Sequence, residues 1–244
     1  MSASSELPVP VALVTGATSG IGRAVALKLA ADGFSVLVHG RDKARGASVV
    51  DEIVAGGGHA RFAAADLTDA ADIERLAAEA ADVDVLVNNA GFSWFGPTAD
   101  LTPATFDAMF AANVRSAYFL VAAIAPLMAK RGAGSIINVG SMAGQIGLAG
   151  GAAYSATKAA LASLTRSWAA EFSPQGVRVN TVAPGPAYTD GAAPERTAAL
   201  GRTTLLGRAA EASEVAEVIA FLASPKAAYI TGAVIAADGG RTAV

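Results

Sequence analysis

The sequence predicts an α/β fold in which helices cover both faces of one doubly wound, parallel sheet of about seven strands. Two kinds of segment alternate along the 244 residues: short runs rich in β-branched residues, and longer Ala-rich stretches with helical spacing. Because a helix that connects two parallel strands crosses over with one hand, this alternation favours repeated βαβ units. The runs are apolar on both faces, as strands covered on both sides must be.

Each element follows from its local pattern. In chain order the strands are predicted at Val9–Thr15, Phe34–His39, Arg61–Ala64, Val83–Asn88, Ser135–Val139, Val177–Val182 and Ala233–Ala236. The helices are predicted at Gly22–Ala31, Lys43–Ala55, Asp69–Ala81, Pro103–Lys130 and Ala152–Phe172. Between Pro184 and Gly207 only a weak helical pattern occurs, at Glu195–Leu200. A connection of this length is typical of a lid or a binding segment, although it also fits a surface excursion.

Composition excludes several classes of protein. With 53% hydrophobic and 16% charged residues, the chain is too apolar for a disordered protein. No repeat, linker or charge block interrupts it, so we expect a single domain over residues 1–244. The net charge of −3, from 18 basic and 21 acidic residues, gives no reason to expect nucleic acid or an anionic membrane as a partner.

Residue types that support metal and thiol chemistry are scarce. The chain has no Cys and only two His, so we expect no disulfide, no thiolate and no metal site. The first eight residues lack the basic and apolar regions of a signal peptide. No apolar run approaches the roughly 20 residues of a membrane-spanning helix. We therefore expect a cytoplasmic protein without a membrane partner.

A glycine-rich turn follows the first predicted strand. It reads Thr15-Gly-Ala-Thr-Ser-Gly-Ile-Gly22 and leads directly into a helix. Glycines there permit a tight turn, let backbone N–H groups approach a phosphate, and bring helix and strand together. The helix N-terminus that follows favours an anion. The turn predicts a dinucleotide site formed by Gly16, Thr18, Ser19, Gly20, Ile21 and Gly22, whereas a glycine that merely ends a strand is the alternative.

The end of the second strand bears on the choice of dinucleotide. An NAD site usually carries Asp or Glu there, to bind the ribose 2′-hydroxyl. This chain has Gly40 and then Arg41, whose guanidinium can pair with a 2′-phosphate. The pattern favours NADP(H) over NAD(H). Alternatively, Arg41 only precedes a solvated helix capped by Asp42, which could also partly neutralise it.

A Tyr and a Lys four residues apart lie in a predicted helix, as Tyr154-Ser-Ala-Thr-Lys158. Residues i and i+4 share one helix face, so both side chains can reach one cleft. An ammonium beside a phenol favours the phenolate and lowers the pKa of the phenol. The same pair is also common on ordinary helix surfaces. It indicates a catalytic site only when other motifs of such a site occur in the same chain.

Several motifs occur together with this pair and in a characteristic order. They are the glycine-rich turn, Asn88-Asn-Ala-Gly91, Asn113, Ser141, Tyr154-x-x-x-Lys158, Pro184-Gly185, Tyr229-Ile-Thr-Gly232 and Asp238-Gly-Gly240. In this order and spacing the chain resembles the short-chain dehydrogenase/reductase family over essentially its whole length. It is most similar to 3-oxoacyl-(acyl-carrier-protein) reductases and related ketone and sugar dehydrogenases. The resemblance implies a Rossmann-type fold, with a cofactor-binding half at about 8–140 and a catalytic helix and lid at about 141–210.

The resemblance also implies roles for four residues. Tyr154 is expected to exchange a proton with the substrate oxygen, and Ser141 to hydrogen-bond the same oxygen. Lys158 is expected to hold the nicotinamide ribose and to lower the Tyr154 pKa. Asn113 falls where the family interrupts a helix, and it is expected to position a water that links Lys158 to solvent. The hydride belongs to the nicotinamide.

Further cofactor contacts are implied by the matching positions. They are Asp66 and Leu67 after the third strand, Asn89, Ala90 and Gly91 after the fourth, and Pro184, Gly185, Ala187 and Thr189 after the sixth. Asp66 has an alternative role as a helix N-cap, and Asn88-Asn-Ala-Gly91 is partly structural in the family. The chain departs from the family pattern at Ala187, which is smaller than the usual Ile or Val, and at Pro186, which stiffens the turn.

The substrate side is expected to be mainly apolar. Phe92-Ser-Trp-Phe95, Gln145, Ile146, Leu148 and Tyr188 are its candidate residues, although aromatic residues also serve simply as core. The lid carries no cationic cluster beyond Arg196, Arg202 and Arg208, so a highly charged substrate such as a sugar phosphate is not favoured. His39 and His59 are expected to lie at the wrong end of a strand or in a loop, and neither is given any chemistry.

Together these expectations describe an NADP(H)-dependent oxidoreductase that interconverts a carbonyl and a secondary alcohol, and whose substrate is a small ketone, an alcohol or a 3-oxoacyl thioester. An NAD(H)-dependent sugar or polyol dehydrogenase is an alternative. A non-catalytic dinucleotide sensor is a hypothesis of another class, disfavoured because Asn113, Ser141, Tyr154 and Lys158 are all present. By resemblance we expect a homotetramer, with a dimer as the alternative, and Trp168, Phe172 and the tail Thr242-Ala-Val244 fit burial between subunits.

Overall fold

A computed structural model describes residues 9–244. Residues 1–8, from which the sequence predicts the absence of a signal peptide, lie outside the described part. The strands are β1 Val11–Val14, β2 Ser35–Gly40, β3 His59–Ala64, β4 Val85–Asn88, β5 Gly134–Val139, β6 Val177–Pro184, β7 Ala187–Tyr188, β8 Ala210–Glu211 and β9 Val234–Ala237. The helices are α1 Gly20–Ala31, α2 Lys43–Ala55, α3 Ala70–Glu79, α4 Pro103–Phe110, α5 Ser116–Arg131, α6 Ala152–Phe172, α7 Pro194–Gly201 and α8 Ala212–Ala223.

Seven strands form one parallel sheet in the order β3-β2-β1-β4-β5-β6-β9. The chain builds outward from β1 in one direction as far as β3, and then returns to place β4 on the other side of β1. The strand order therefore reverses between β1 and β4. Ligands of open α/β sheets bind at such a switch point, outside the carboxyl ends of the strands. The predicted fold class, a doubly wound sheet of seven parallel strands with helices on both faces, is confirmed.

Consecutive strand residues enter opposite layers of core. Leu13, Leu37 and Leu86 belong to a cluster formed with α3, α5 and α6. Their neighbours, such as Val14 and Val38, belong to a second cluster formed with α1, α2 and α8. Because side chains alternate across a strand, burial of both sets requires helices on both faces.

Helix starts follow local capping chemistry. The Asp42 carboxylate accepts a hydrogen bond from the Arg45 N–H at the start of α2, and Asp69 accepts one from the Asp72 N–H at the start of α3. Such caps satisfy backbone donors that have no partner inside the helix. The role of Asp42 as an N-cap, left open by the sequence, is therefore what the structure shows.

Several elements differ from the sequence expectations. Helix α8 was not predicted, although Val215, Ile219 and Leu222 have helical spacing and are buried. The segment after β6 contains a full helix, α7, and a short strand, β7, which pairs with β8. His59 begins β3 rather than lying in a loop.

The longest helical stretch joins α4 and α5 through a π-turn at Ala111–Arg115. By length and composition alone, Pro103–Arg131 is long and apolar enough to cross a membrane. The expectation that no apolar stretch reaches this length is therefore wrong. Leu120, Ile124 and Met128 on this stretch are fully buried in the core beside the sheet, and a core helix meets the same criteria.

Candidate active site

A cavity of about 590 Å³ lies at the carboxyl ends of the strands, at the switch point between β1 and β4. Ser141, Tyr154 and Lys158 line it together with the glycine-rich turn. Every residue predicted to contact a cofactor lines the same cavity: Gly16, Thr18, Ser19, Gly20, Ile21, Gly22, Arg41, Asp66, Leu67, Asn89, Ala90, Gly91, Tyr154, Lys158, Pro184, Gly185, Ala187 and Thr189. Of the predicted catalytic and cofactor-contact residues, only Asn113 does not line it.

The glycine-rich turn can be built only from glycine at its critical positions. Gly16 and Gly20 have φ angles of 63° and 52°, a region that L side chains rarely adopt. A Cβ atom on Gly22 would lie 2.2 Å from the Gly16 carbonyl oxygen. Turn and helix therefore approach so closely that any side chain at residue 22 must displace backbone.

The N-terminus of α1 faces the cavity with its donors largely unpaired. Ser19 precedes the helix, but its side chain makes no capping hydrogen bond, and the first turn has no acidic residue. The Asp190 carboxylate lies 3.4 Å from the Gly20 N–H. Unpaired N–H groups and the helix dipole favour an anion here, so this arrangement fits a dinucleotide pyrophosphate.

His39 holds the turn in place. It is 3% exposed, and its Nδ1 accepts a hydrogen bond from the Gly16 N–H at 3.1 Å. Its Nε2 lies 3.1 Å from the Ala65 carbonyl oxygen, to which it donates in the neutral tautomer. Burial lowers the pKa of His39 below its ordinary value. The expectation that His39 lies at the wrong end of its strand is wrong, because it is next to last in β2 and lines the cavity.

Arg41 reaches the cavity at the end of β2 without a carboxylate partner among residues 9–244. Asp42 instead pairs with Arg45, whose Nε lies 3.0 Å from its carboxylate. The alternative that Asp42 neutralises Arg41 is therefore not what the structure shows. A Cβ atom on Gly40 would lie 2.4 Å from the Thr18 methyl group, so this strand end has little room for a longer side chain.

Asn89 and Asp66 are fixed by local hydrogen bonds. The Asn89 amide donates to the carbonyl oxygens of Thr15 and Gly16, at 2.9 and 3.2 Å. The Asp66 carboxylate accepts from both the N–H and the hydroxyl of Thr68, and these bonds hold its pKa below the ordinary value. Asp69, rather than Asp66, caps α3. The alternative role of Asp66 as the cap of α3 is therefore excluded.

Tyr154 and Lys158 project from one face of α6 into the cavity. The Lys158 Nζ lies 5.7 Å from the centroid of the Tyr154 ring and donates to the Val139 carbonyl oxygen at 2.8 Å. The Ser141 Oγ accepts a hydrogen bond from the Ala143 N–H at 3.1 Å. A hydroxyl, a phenol and an ammonium thus converge on the space beside the glycine-rich turn.

Burial dominates the titration of this group. It lowers the pKa of Lys158 to about 8. It also raises the pKa of Tyr154 above its ordinary value, and a hydrogen bond with Ser141 only partly opposes the rise. The expectation that Lys158 lowers the Tyr154 pKa is therefore not met in this structure. The physical reason is that both side chains are withdrawn from water, and the ammonium bonds to Val139 rather than to the phenol.

Asn113 lies in the π-turn between α4 and α5, at the helix interruption that the resemblance implies. Its amide donates to the Phe92 carbonyl oxygen and to the Thr157 hydroxyl, and its carbonyl accepts from the Phe92 N–H. The side chain is buried and fully paired. It therefore ties the segment after β4 to α6, one residue before Lys158.

The substrate side combines apolar and polar groups. Phe92 and Ser93 line the cavity, and the Phe95 ring centroid lies 5.6 Å from that of Tyr154. Tyr188 does not belong to this wall. It lines a separate groove between α1 and α8, because β7 pairs with β8 and is drawn toward α8.

The cavity also has lining residues that the sequence did not single out for the site. They are His39, Gly40, Arg45, Ala65, Thr68, Ala112, Val139, Gly140 and Gly191. Most adjoin a predicted contact in sequence, so the carboxyl end of each strand was itself the available signal. His39, at the end of the predicted second strand, carried this signal too, but only the fold shows that it bonds to Gly16.

Comparisons with known proteins agree with this geometry. The family described as short chain dehydrogenase matches residues 10–199. The chain is 41% identical to cis-4-hydroxycyclohexanecarboxylate dehydrogenase of Sinomonas cyclohexanicum, with 96% of this chain and 97% of that protein covered. It is 39% identical to a 3-oxoacyl-[acyl-carrier-protein] reductase of Synechocystis sp., with 97% and 98% covered.

A solved structure has the same fold over nearly the whole chain. The angucycline C-6 ketoreductase LanV with bound NADP superposes with a TM-score of 0.90 at 34% identity, and the match covers 96% of each chain.

Proposed function

The chain belongs to the short-chain dehydrogenase family, whose members are enzymes that act on alcohols and ketones with NAD(P), and from that membership we propose that it transfers a hydride between NADP(H) and a carbonyl or secondary alcohol. One observation carries the proposal: Ser141, Tyr154 and Lys158 share a single cavity with an anion-binding helix N-terminus.

We propose that Tyr154 is the proton donor to the carbonyl oxygen during reduction and the base during alcohol oxidation. Ser141 hydrogen-bonds the same oxygen and fixes its position. Lys158 holds the nicotinamide ribose hydroxyls. To do so, its ammonium would move from the Val139 carbonyl oxygen, to which it donates, toward the ribose. Asn113 acts through the π-turn, which orients a water toward Lys158. The bound nicotinamide supplies or accepts the hydride.

We propose that the remaining lining residues bind the dinucleotide along the switch point. The α1 N-terminus receives the pyrophosphate, and Asp66 and Leu67 lie where the adenine binds. Arg41 supports a preference for NADP(H), because a 2′-phosphate would meet a guanidinium that forms no salt bridge among residues 9–244. The LanV structure holds NADP in the same fold.

We propose a small ketone, a cyclic secondary alcohol or a 3-oxoacyl thioester as substrate. A cyclic alcohol is favoured by the relative of 41% identity, which is named as a dehydrogenase of cis-4-hydroxycyclohexanecarboxylate. A thioester is favoured by the reductase of 39% identity. The apolar side chains of Phe92 and Phe95 beside the phenol suit either carbon skeleton.

We further propose that residues 1–244 form one domain and that the enzyme is a cytoplasmic homotetramer without a nucleic-acid or membrane partner. Phe106, Tyr118, Phe119 and Leu127 project exposed apolar side chains from one helical stretch, beside a groove toward α6. Exposed apolar surface of this kind marks interfaces. Trp168, expected at the interface, is instead 5% exposed within the subunit core.

The proposal is tested by following nicotinamide absorbance with NADPH and NADH side by side. A short 3-oxoacyl thioester, cyclohexanone and a hydroxycyclohexane serve as substrates for reduction or oxidation. We expect turnover of at least one substrate, faster with the phosphorylated cofactor. Cofactor binding without turnover of any ketone, alcohol or thioester would favour the non-catalytic hypothesis.

A further inference from the structure

Helix α7 in the lid brings one cation onto the Phe95 ring, which lies next to Tyr154. The Arg196 guanidinium carbon lies 5.0 Å from the centroid of the Phe95 ring. The Phe95 ring centroid lies 5.6 Å from that of Tyr154. The guanidinium therefore lies no further from the phenol ring than the sum of these two distances, with an aromatic ring between them.

The stacking leaves the hydrogen-bond donors of Arg196 available. A guanidinium over a ring face is attracted through its π-facing surface, while its N–H groups point outward in its own plane. Arg196 is exposed, so these donors are accessible from solvent. A planar fork held in one orientation is prepared to bind two oxygen atoms at once.

No carboxylate of the described chain occupies this fork. Arg196 forms neither a salt bridge nor a side-chain hydrogen bond among residues 9–244. Arg208, a second lid arginine, is by contrast held by Glu214 through two bonds of 2.6 and 2.7 Å. Arg202 follows the other end of α7, about 9 Å further along the helix. Arg196 is therefore the lid cation placed to meet a substrate.

We infer that the substrate is a ketone or secondary alcohol that carries a carboxylate, and that Arg196 binds this carboxylate while Tyr154 meets the reacting oxygen. The inference rests on the proposed function. That function assigns the reacting oxygen of the substrate to Tyr154, and the inference adds a carboxylate at the other end of the same substrate. Phe95, between the two groups, packs against the intervening carbon skeleton. A short chain or a single ring fills that interval.

The charge of the site selects a carboxylate over a phosphate. One guanidinium balances one negative charge, whereas a phosphate monoester carries nearly two. Arg208, another cation of the lid, is already paired with Glu214, which agrees with the expectation that a sugar phosphate is not the substrate. The fork geometry matches the two coplanar oxygens of a carboxylate.

The test compares probes that differ only in this charge. Turnover of 4-hydroxycyclohexanecarboxylate and of its carboxamide is measured with NADP⁺. In this oxidation the alcohol loses a hydride to the nicotinamide and a proton to the enzyme. Binding of the unreactive cyclohexanecarboxylate and cyclohexanecarboxamide to the enzyme–NADPH complex is followed by nicotinamide fluorescence. The variants are Arg196→Met, Arg196→Lys and the lid control Arg202→Met.

We expect the wild-type enzyme and Arg202→Met to prefer the carboxylate by about tenfold to a hundredfold, the worth of one charge-assisted pair. In Arg196→Met the ratio falls toward one, and Arg196→Lys keeps part of it because the charge remains. Equal binding of acid and amide by the wild-type enzyme overturns the inference, as does a preference that survives in Arg196→Met. A fall in NADPH affinity without a change in the ratio also overturns it, since Arg196 would then serve the cofactor.

The binding arm separates this inference from the proposed function. Carboxylate binding that depends on Arg196, without turnover of any alcohol, supports the anion site and contradicts the oxidoreductase. Turnover of uncharged cyclic alcohols without any preference for the acid contradicts the anion site and supports the oxidoreductase.

Discussion

At the scale of single residues, His39 shows how a buried side chain can shape a binding turn without touching the chemistry. Its Nδ1 must remain unprotonated to accept from the Gly16 N–H. Protonation would place a second N–H against that donor and break the contact. Because burial disfavours the charged ring, the folded-state pKa lies below the ordinary 6.5.

This arrangement has a pH dependence of known sign. Below pH 6.5 the unfolded chain binds the His39 proton more readily than the folded protein does. The stability that neutral His39 contributes is therefore present above pH 6.5 and is lost as the pH falls through the lower folded pKa. Each unit of lowering corresponds to about 1.4 kcal/mol.

We predict that His39→Gln flattens the acid limb of the stability curve. The Gln amide can accept from Gly16 and donate to Ala65, but it does not titrate. Thermal unfolding of both proteins is measured from pH 7.5 to 5, with NADPH affinity alongside. Carboxylates other than Asp72, whose pKa His39 helps to lower, contribute equally to both curves, so the difference reports His39 and this coupling. Parallel curves would contradict the assigned tautomer.

The proposed preference for NADPH over NADH can be tested at Arg41. Arg41→Asp replaces a cation that can pair with a 2′-phosphate by an anion that repels it. We expect kcat/KM for NADPH to fall by about tenfold to a hundredfold while NADH is favoured, as measured by steady-state kinetics. Lys43→Asp, which makes the same charge change on exposed α2, is the control. An unchanged ratio in Arg41→Asp would mean that this residue does not recognise the phosphate.

At the scale of elements, the turn between β1 and α1 positions the cofactor through backbone rather than side chains. We predict that Gly22→Ala lowers NADPH affinity at least about tenfold, because its Cβ would lie 2.2 Å from the Gly16 carbonyl oxygen and force the turn apart. Calorimetric binding and thermal unfolding provide the measurements.

Gly147→Ala is the matched control for this substitution. A Cβ at Gly147 meets no atom within 4 Å, although the residue follows the Ser141 loop. We expect its affinity for NADPH to stay within twofold of the wild type, roughly 0.4 kcal/mol. Normal NADPH binding by Gly22→Ala would show that the turn can yield without loss of the site.

The elements also show what sequence could predict. Strands such as Val36–Val38 are apolar on both faces, and this pattern alone identifies a covered parallel sheet. Side chains at the carboxyl ends of such strands must meet, which is why the cavity lining was predictable. Helix α8 was not predicted, yet the helical spacing of Val215, Ile219 and Leu222 made it accessible from the sequence. The His39–Gly16 and Arg196–Phe95 contacts join residues far apart in sequence, so no local pattern reports them.

At the scale of the whole molecule, α4 and α5 expose aromatic side chains to solvent. Packing within the subunit gives no reason for this exposure. Phe119 is 51% exposed and Tyr118 is 46% exposed. The Tyr118 ring lies 6.0 Å from Trp168, so one edge of this patch continues into the core. The patch is continuous with the groove toward α6.

We predict that Phe119→Glu dissociates the proposed tetramer into smaller species, because burying a carboxylate between subunits costs free energy. Sedimentation velocity of the wild-type protein and the variant measures this directly. Val54→Glu is the control, since Val54 is equally exposed, at 56%, but lies on α2. A Phe119→Glu protein that sediments like the wild type would exclude this face as an interface.

The central claim is that the cavity shared by Ser141, Tyr154 and Lys158 transfers hydride to or from a bound nicotinamide. The most direct test removes one oxygen atom, in Tyr154→Phe, and measures turnover and NADPH affinity on the same preparation. The account predicts that kcat falls by about a hundredfold or more, because the proton donor is gone, while NADPH affinity changes little. Retained turnover would contradict the assignment of Tyr154 and with it the proposed chemistry.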